Sequence, residues 1–230
     1  MAIDMELEAV LRAPEVAQAL YPPKVITLAN GKKMVVREAK REDVPTLLKA
    51  VKPTVTVERD YYDIVGARLY AELLGWYRYR VRNEYCLVGQ VEGYLAGLVN
   101  GRMMNEKVGI SLHTLAIDRG LRVGSHLFAS KMEHHIEYLG QEEVWIVAES
   151  PIGFRRWMIE YGLELMPTVQ HELGGATAYR LPKKLYYETK ARLVAGGRPV
   201  PKKLLDEALA EIKIADEAAI AEKIAGVKGR

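Results

Sequence analysis

The sequence predicts an α+β protein in three layers, with a mixed, mostly antiparallel central sheet flanked by helices and with helical extensions at both ends. Three observations predict it. Segments 85–91 and 94–99 are apolar runs on either side of Glu92-Gly93, the pattern of a hairpin. Residues 107–117 alternate like a strand and pass through a glycine-containing turn into an amphipathic helix over 123–139. A buried-type strand over 143–148 then precedes a second helix over 152–161, and the order strand, helix, strand, helix implies one parallel pairing.

Taken in order, residues 5–20 carry Leu7, Val10, Leu11 and Val16 at helical spacing until Pro22-Pro23 stops the pattern, so residues 1–32 read as a helical N-terminal extension. After the Asn30-Gly31 turn, 33–37 reads as a strand, and 41–45 opens a helix carrying Leu47, Leu48 and Val51. Pro53 breaks the chain before a longer helix over 58–79. Its aromatic residues Tyr61, Tyr62, Tyr70, Trp76, Tyr77 and Tyr79 could line a substrate pocket or simply fill a core. Asn100-Gly101 reads as a turn, and in the strand that follows Ser111, His113, Leu115 and Ile117 share one face. Gly140 and Gly162 suit positions just past helix ends. Two last strands flank Gly174-Gly175, the better defined one over 176–181, which sets the main domain at 33–183. Residues 184–230 form a charged, alanine-rich tail, broken at Gly196–Pro199 and helical over 203–224. Its apolar stripe of Leu205, Leu209, Ile212, Ile220 and Ile224 could dock on the core, on a sister subunit in a homodimer, or on a partner.

Composition narrows the function classes. Lys plus Arg number 33 against 30 Asp plus Glu, and this net +3 suits anionic ligands but falls short of a nucleic-acid footprint. Cys86 has no partner for an intramolecular disulfide and reads as a buried apolar residue, and no Cys/His spacing fits zinc. His126, His134 and His135 are expected on the helix surface, where adjacent histidines face different ways and make no joint metal site. The acidic start lacks the basic and apolar regions of a signal peptide, and no window reaches about 18 uncharged apolar residues. The expectation is a cytoplasmic protein without membrane or nucleic-acid partners.

The informative stretch is 115–128, where an apolar strand runs through Asp118-Arg119-Gly120-Leu121-Arg122 straight into a helix. Amides at a helix start have no intrahelical partner and lie at the positive end of the helix dipole, so they form a natural anion trap. Glycine lets a ligand approach the backbone closely.

These residues, with the hairpin, the Trp145 strand and a helix ending in Tyr161-Gly162-Leu163-Glu164, resemble the GNAT acyltransferase superfamily over about residues 33–181. The family signature for pyrophosphate is Gln/Arg-x-x-Gly-x-Gly/Ala. Arg119 and Gly124 match it, whereas Arg122 replaces the middle glycine, which suits the turn only with ordinary helical backbone angles. The resemblance implies a splayed parallel strand pair. It also implies that acetyl-CoA or another acyl-CoA is held by Leu115, Ala116 and Ile117 through their backbones and by Arg119, Gly120, Leu121, Arg122, Val123, Gly124 and Ser125. An amine of a small molecule or a protein lysine would then attack the acyl carbonyl directly.

That chemistry needs a base, an oxyanion donor and an acid for the thiolate. The family's usual acid, a tyrosine four residues before the glycine, is replaced by Met158, so Tyr161 could serve only if the helix end were shifted. His113 is the candidate base, with a buried structural histidine as the alternative. Glu149 is a base or a holder of the acceptor's ammonium, unless it only starts the next helix. Two functions remain open: an acyl-CoA-dependent N-acyltransferase, and a catalytically silent acyl-CoA-binding regulator or adaptor.

Overall fold

Chain order and sheet order nearly coincide in the computed structural model, which describes residues 5–14, 16–175 and 177–226. Helix α1 (Met5–Leu11) precedes β1 (Lys24–Thr27), β2 (Lys33–Glu38), α2 (Val44–Val51) and, after two 3-10 turns, α3 (Tyr62–Tyr77). Strands β3 (Glu84–Val91), β4 (Tyr94–Met103) and β5 (Val108–Ala116) follow, then α4 (Val123–Glu133), which continues as a π-helical turn, His134–Tyr138. Strand β6 (Glu143–Ile146) leads to α5 (Pro151–Gly153), prolonged as a π-helix over Phe154–Ile159, and to β7 (Glu164–Met166) and β8 (Ala178–Pro182). Helices α6 (Lys183–Leu193), α7 (Lys202–Leu209) and α8 (Glu217–Ala225) close the chain.

The eight strands form one sheet in the order β1-β2-β3-β4-β5-β6-β8-β7. Glu92 and Gly93, both at positive φ, make the two-residue turn joining β3 to β4. Only β5 and β6 run parallel. They are paired from Val108↔Glu143 to Ser111↔Ile146, and the rest of β5 has no partner on that side. Helices α2, α3 and α8 cover one face, where Leu47, Leu69, Leu73, Ile220 and Ile224 pack on Cys86, Val88, Leu98 and Leu115. Helix α4 covers the other face, with Val123 and Leu127 against Leu87, Ala96 and Val99 and with Phe128 and Met132 against Val144 and Ile146. The expected three-layer mixed sheet, with its parallel pair parting partway along, is therefore present.

Local readings differ in several places. The helix expected over 5–20 ends at Leu11, because Pro14 disfavours helical geometry just before it and Leu7, Val10 and Leu11 stay exposed with little packing to extend the turn. The N-terminal extension is not wholly helical, since Lys24–Thr27 pairs with β2. Asn100-Gly101 is no turn. Strand β4 runs through it with a bulge, and the buried Asn100 side chain accepts from the His113 amide at 2.9 Å and donates to Glu84 at 2.9 Å.

The tail helix expected over 203–224 is two helices, interrupted where Lys213 exchanges backbone hydrogen bonds with Gly93 and Leu95. A further helix, α6, occupies 183–193. Of the three docking choices, the tail takes the core: Ile212, Ile220 and Ile224 are buried in the largest apolar cluster. His134 and His135 are fully buried against Tyr85 and not on the surface, and burial lowers them to about 4 and about 3. Cys86 is buried as expected, and burial pushes its thiol up. The expected strand start at Ala176 lies outside the described residues. Among the described residues, no helix is long and apolar enough to cross a membrane.

Candidate active site

Where β5 leaves β6, a cleft of about 250 Å³ opens between the start of α3, the end of β5, the 118–125 turn and α5. Of the residues singled out in the sequence, Ala116, Arg119, Gly120, Arg122, Val123, Gly124 and Ser125 line it; Leu115, Ile117 and Leu121 do not. Leu115 and Ile117 are buried in the core on the α3 side. The Ile117 amide donates to Ala96 on β4, so strand alternation turns Ala116 and Thr114, the latter not singled out, toward the open edge. The Ala116 carbonyl there accepts the Tyr62 hydroxyl at 2.8 Å. Burial holds that hydroxyl neutral, raising it to about 12.

Two left-handed residues shape the turn, Gly120 at φ 83° and Arg122 at φ 61°, ψ 21°. The expected helical angles at Arg122 are not found, and the residue sits in the left-handed region that favours glycine. Arg122 is the N-cap of α4 without a side-chain cap, and among the described residues no backbone hydrogen bond ties the amides of Val123, Gly124 and Ser125 to the surrounding fold. Gly124 faces the cleft. A Cβ added there would meet only Ala116 Cβ at 3.5 Å and Thr114 Cγ2 at 3.8 Å.

Arg119 lines the cleft, yet its guanidinium is turned back into the protein. It donates to the Ile224 carbonyl at 3.0 Å and to Asp60, and lies over the Tyr62 ring. Arg122 and Arg156, half exposed, share Glu160 at 3.6 and 3.0 Å and place two cations near the turn.

The two other candidates that meet are His113 and Glu149. His113 Nδ1 lies 2.8 Å from one Glu149 oxygen, and the other oxygen accepts from Arg68 of α3 at 2.8 Å. Burial works to raise the Glu149 carboxyl, but the hydrogen bond and charge of His113, aided by Arg68, outweigh it and leave Glu149 below its ordinary value. An ionised carboxylate only accepts, so His113 donates Nδ1–H, and the lone pair of the neutral ring falls on Nε2, which is buried without a protein partner. Neither side chain lines the cleft itself, although Ser150, next to Glu149, does. Tyr161 stands apart: buried edge-on to Phe128, it is outside the cleft lining and its hydroxyl has no partner.

Of the aromatic residues that could line a pocket, Tyr62 at the start of α3 does so, whereas sequence reasoning missed Thr114, Ser150, Arg156 and Trp157 in the lining. Among the described residues, no group of three or more His, Cys, Asp or Glu is placed to hold a metal ion.

A mixed sheet whose single parallel pair parts beside uncapped helix-start amides is a GNAT-like fold. Among solved structures, the chain is similar to an uncharacterized protein (bh2621) from Bacillus halodurans, with TM-score 0.55 and 11% identity over 75% of this chain and 96% of that one. It is also similar to a putative acetyltransferase, with TM-score 0.49 and 17% identity over 73% and 92%. A third is the PaiA N-acetyltransferase from Thermoplasma acidophilum in complex with coenzyme A, with TM-score 0.44 and 14% identity over 65% and 98%. The likeness is one of fold. No protein-family model and no curated protein sequence matches the chain.

Proposed function

We propose that the chain binds an acyl-coenzyme A, most simply acetyl-CoA, in the splayed cleft and catalyses N-acyl transfer to an amine of a small molecule or a protein lysine. The amides of Val123, Gly124 and Ser125 at the start of α4 carry this reading, because donors at a helix start suit an anionic group such as a diphosphate. The donor set fits: Gly124 leaves the amides open to approach, and Arg122 and Arg156 can add charge. The open edge of β5 at Thr114 and Ala116 offers backbone groups to an amide-bearing arm.

When bound, the thioester supplies an activated acyl carbonyl. The protein must then take a proton from the attacking amine, and Nε2 of neutral His113 can accept it through water, since the ring does not line the cleft. Glu149 fixes the tautomer and stabilises the imidazolium, while Arg68 keeps Glu149 ionised and in place. The Tyr62 and Trp157 rings in the cleft wall exclude water from the reacting groups.

Calorimetry with acetyl-CoA, followed by thiol release over a panel of amines and lysine peptides, tests the reading. Absence of binding sinks it. One observation favours the silent binder instead: the family's acid position holds buried Met158, and Tyr161 points into the core. Tight binding with no turnover on any amine would select that second reading.

A further inference from the structure

Helix α4 carries a lysine on its buried side. Lys131 lies between Phe128 and Met132 in sequence and is fully buried, with Nζ 3.1 Å from the His113 carbonyl, 3.3 Å from the Leu112 carbonyl and 3.3 Å from Thr114 Oγ1. All three partners belong to the stretch of β5 that has lost β6. The amine therefore sits in the floor of the splay, and Thr114 lies between it and the cleft.

The geometry selects among roles. Two carbonyls accept only, so they fix two N–H bonds of Lys131, and the remaining position faces the Thr114 hydroxyl. With an ammonium, Nζ–H donates to Thr114 Oγ1; with a neutral amine, the Thr114 O–H donates to the lone pair. One contact thus works in both protonation states, as a relay must, and no lone pair is left to attack an acyl group.

We infer that Lys131 supplies the proton for the departing thiolate through the Thr114 hydroxyl, an inference that rests on the transferase reading above. The Nζ–H bond breaks as Thr114 Oγ1 takes that proton, and the hydroxyl's own proton forms the S–H bond of coenzyme A. Lys131, left neutral, regains a proton from solvent through the same Thr114 contact, and His113 returns to solvent the proton it took from the amine, so the protons balance over the cycle. Lys131 does not line the cleft and is a positioning residue for a proton that Thr114 delivers.

Burial is the main cause that brings Lys131 down to about 7, against an upward pull from Glu149 and a smaller one from Cys86. Lys131 in turn helps lower His135 on its own helix and His171 before β8, both lowered chiefly by burial. A lysine that exchanges its proton near neutrality suits an acid for a thiolate.

The test uses the full chain and its Lys131→Met, Lys131→Arg, Thr114→Val and Thr114→Ser variants. If the unaltered chain fails to bind coenzyme A in calorimetry, the transferase reading fails and the relay falls with it. If it binds and turns over, kcat is expected to gain a limb that falls as pH rises through about 7. Lys131→Met, Lys131→Arg and Thr114→Val should each lower kcat by roughly 10²-fold with an unchanged Kd for coenzyme A. Lys131→Arg should lose the limb, since arginine keeps the charge without releasing a proton, and Thr114→Ser should restore both rate and limb. The Arg and Ser variants keep the test open should Lys131→Met not fold. A kcat within twofold of the parent in Lys131→Arg, a limb that persists there, acylation of Lys131 itself, or binding without turnover overturns the proposal.

Discussion

Glu149 joins two elements that the sequence does not place together: one oxygen meets His113 Nδ1 of β5 at 2.8 Å, and the other meets Arg68 of α3 at 2.8 Å. The pair sets which histidine nitrogen is free. His113→Ala should therefore lower acyl-transfer turnover by about 10²-fold or more while leaving acetyl-CoA affinity within a factor of a few. Glu149→Gln should lose most of that rate as well, because the amide no longer enforces the tautomer. Steady-state kinetics beside calorimetry checks both, and an unchanged rate in the histidine variant removes it from the mechanism.

Gly124 borders the cleft, where an added Cβ would make only ordinary contacts with Ala116 and Thr114. Gly124→Ala should fold and bind coenzyme A, whereas Gly124→Trp should fold and lose binding, since the indole fills the space above the amides. Circular dichroism together with calorimetry distinguishes lost binding from lost structure.

Arg122 holds φ 61° without being glycine. A left-handed side-chain residue costs roughly 1–2 kcal/mol, and glycine gives back roughly 0.5–1 kcal/mol through its freer unfolded chain. The exposed contact with Glu160 at 3.6 Å adds little. Arg122→Gly should raise unfolding stability by up to about 1.5 kcal/mol in urea melts, the margin left by those two magnitudes.

Acid should unfold the protein early. His134 and His135 titrate at about 4 and about 3 when folded and near 6.5 when unfolded, so the unfolded chain binds more protons in between and stability falls as pH drops from about 7 toward 4. Glu133 adds to this lower down. Against the upward pull of burial, Arg198, Lys24 and Tyr21 hold it at about 2, and the stability this brings is lost as pH falls below about 4.5. Urea midpoints at pH 7.5, 5.5 and 4 should decrease in that order.

The tail is part of the core. Ile224 is fully buried against the α2 and α3 side, so Ile224→Ala should cost about 2–5 kcal/mol. Thermal melts of this variant against an Ala210→Ser control, at the end of α7, check it.

The hairpin, the strand into the 118–125 turn and the amphipathic α4 were legible because period-2 and period-3.6 patterns are written locally, and Glu92-Gly93 marks its own turn. The bulge at Asn100 was not, since Asn-Gly is also the commonest turn pair and only the buried partners Glu84 and His113 decide between them. Arg119 was read as a ligand contact from its place in the signature, but Asp60 and the Ile224 carbonyl, distant in sequence, claim its guanidinium. Lys131 did leave a signal: a charge three and four residues after Phe128 and Leu127 on the apolar stripe of α4, a position that a surface lysine does not take.

Because β5 and β6 are stitched together only from Val108↔Glu143 to Ser111↔Ile146, the sheet is two leaves joined at one margin. The larger leaf, β1 to β5, carries the amide nest and Lys131's partners; the smaller, β6, β8 and β7, brings Glu149 and the α5 wall. The walls of the cleft thus belong to different leaves, and the His113–Glu149 contact spans the gap between them.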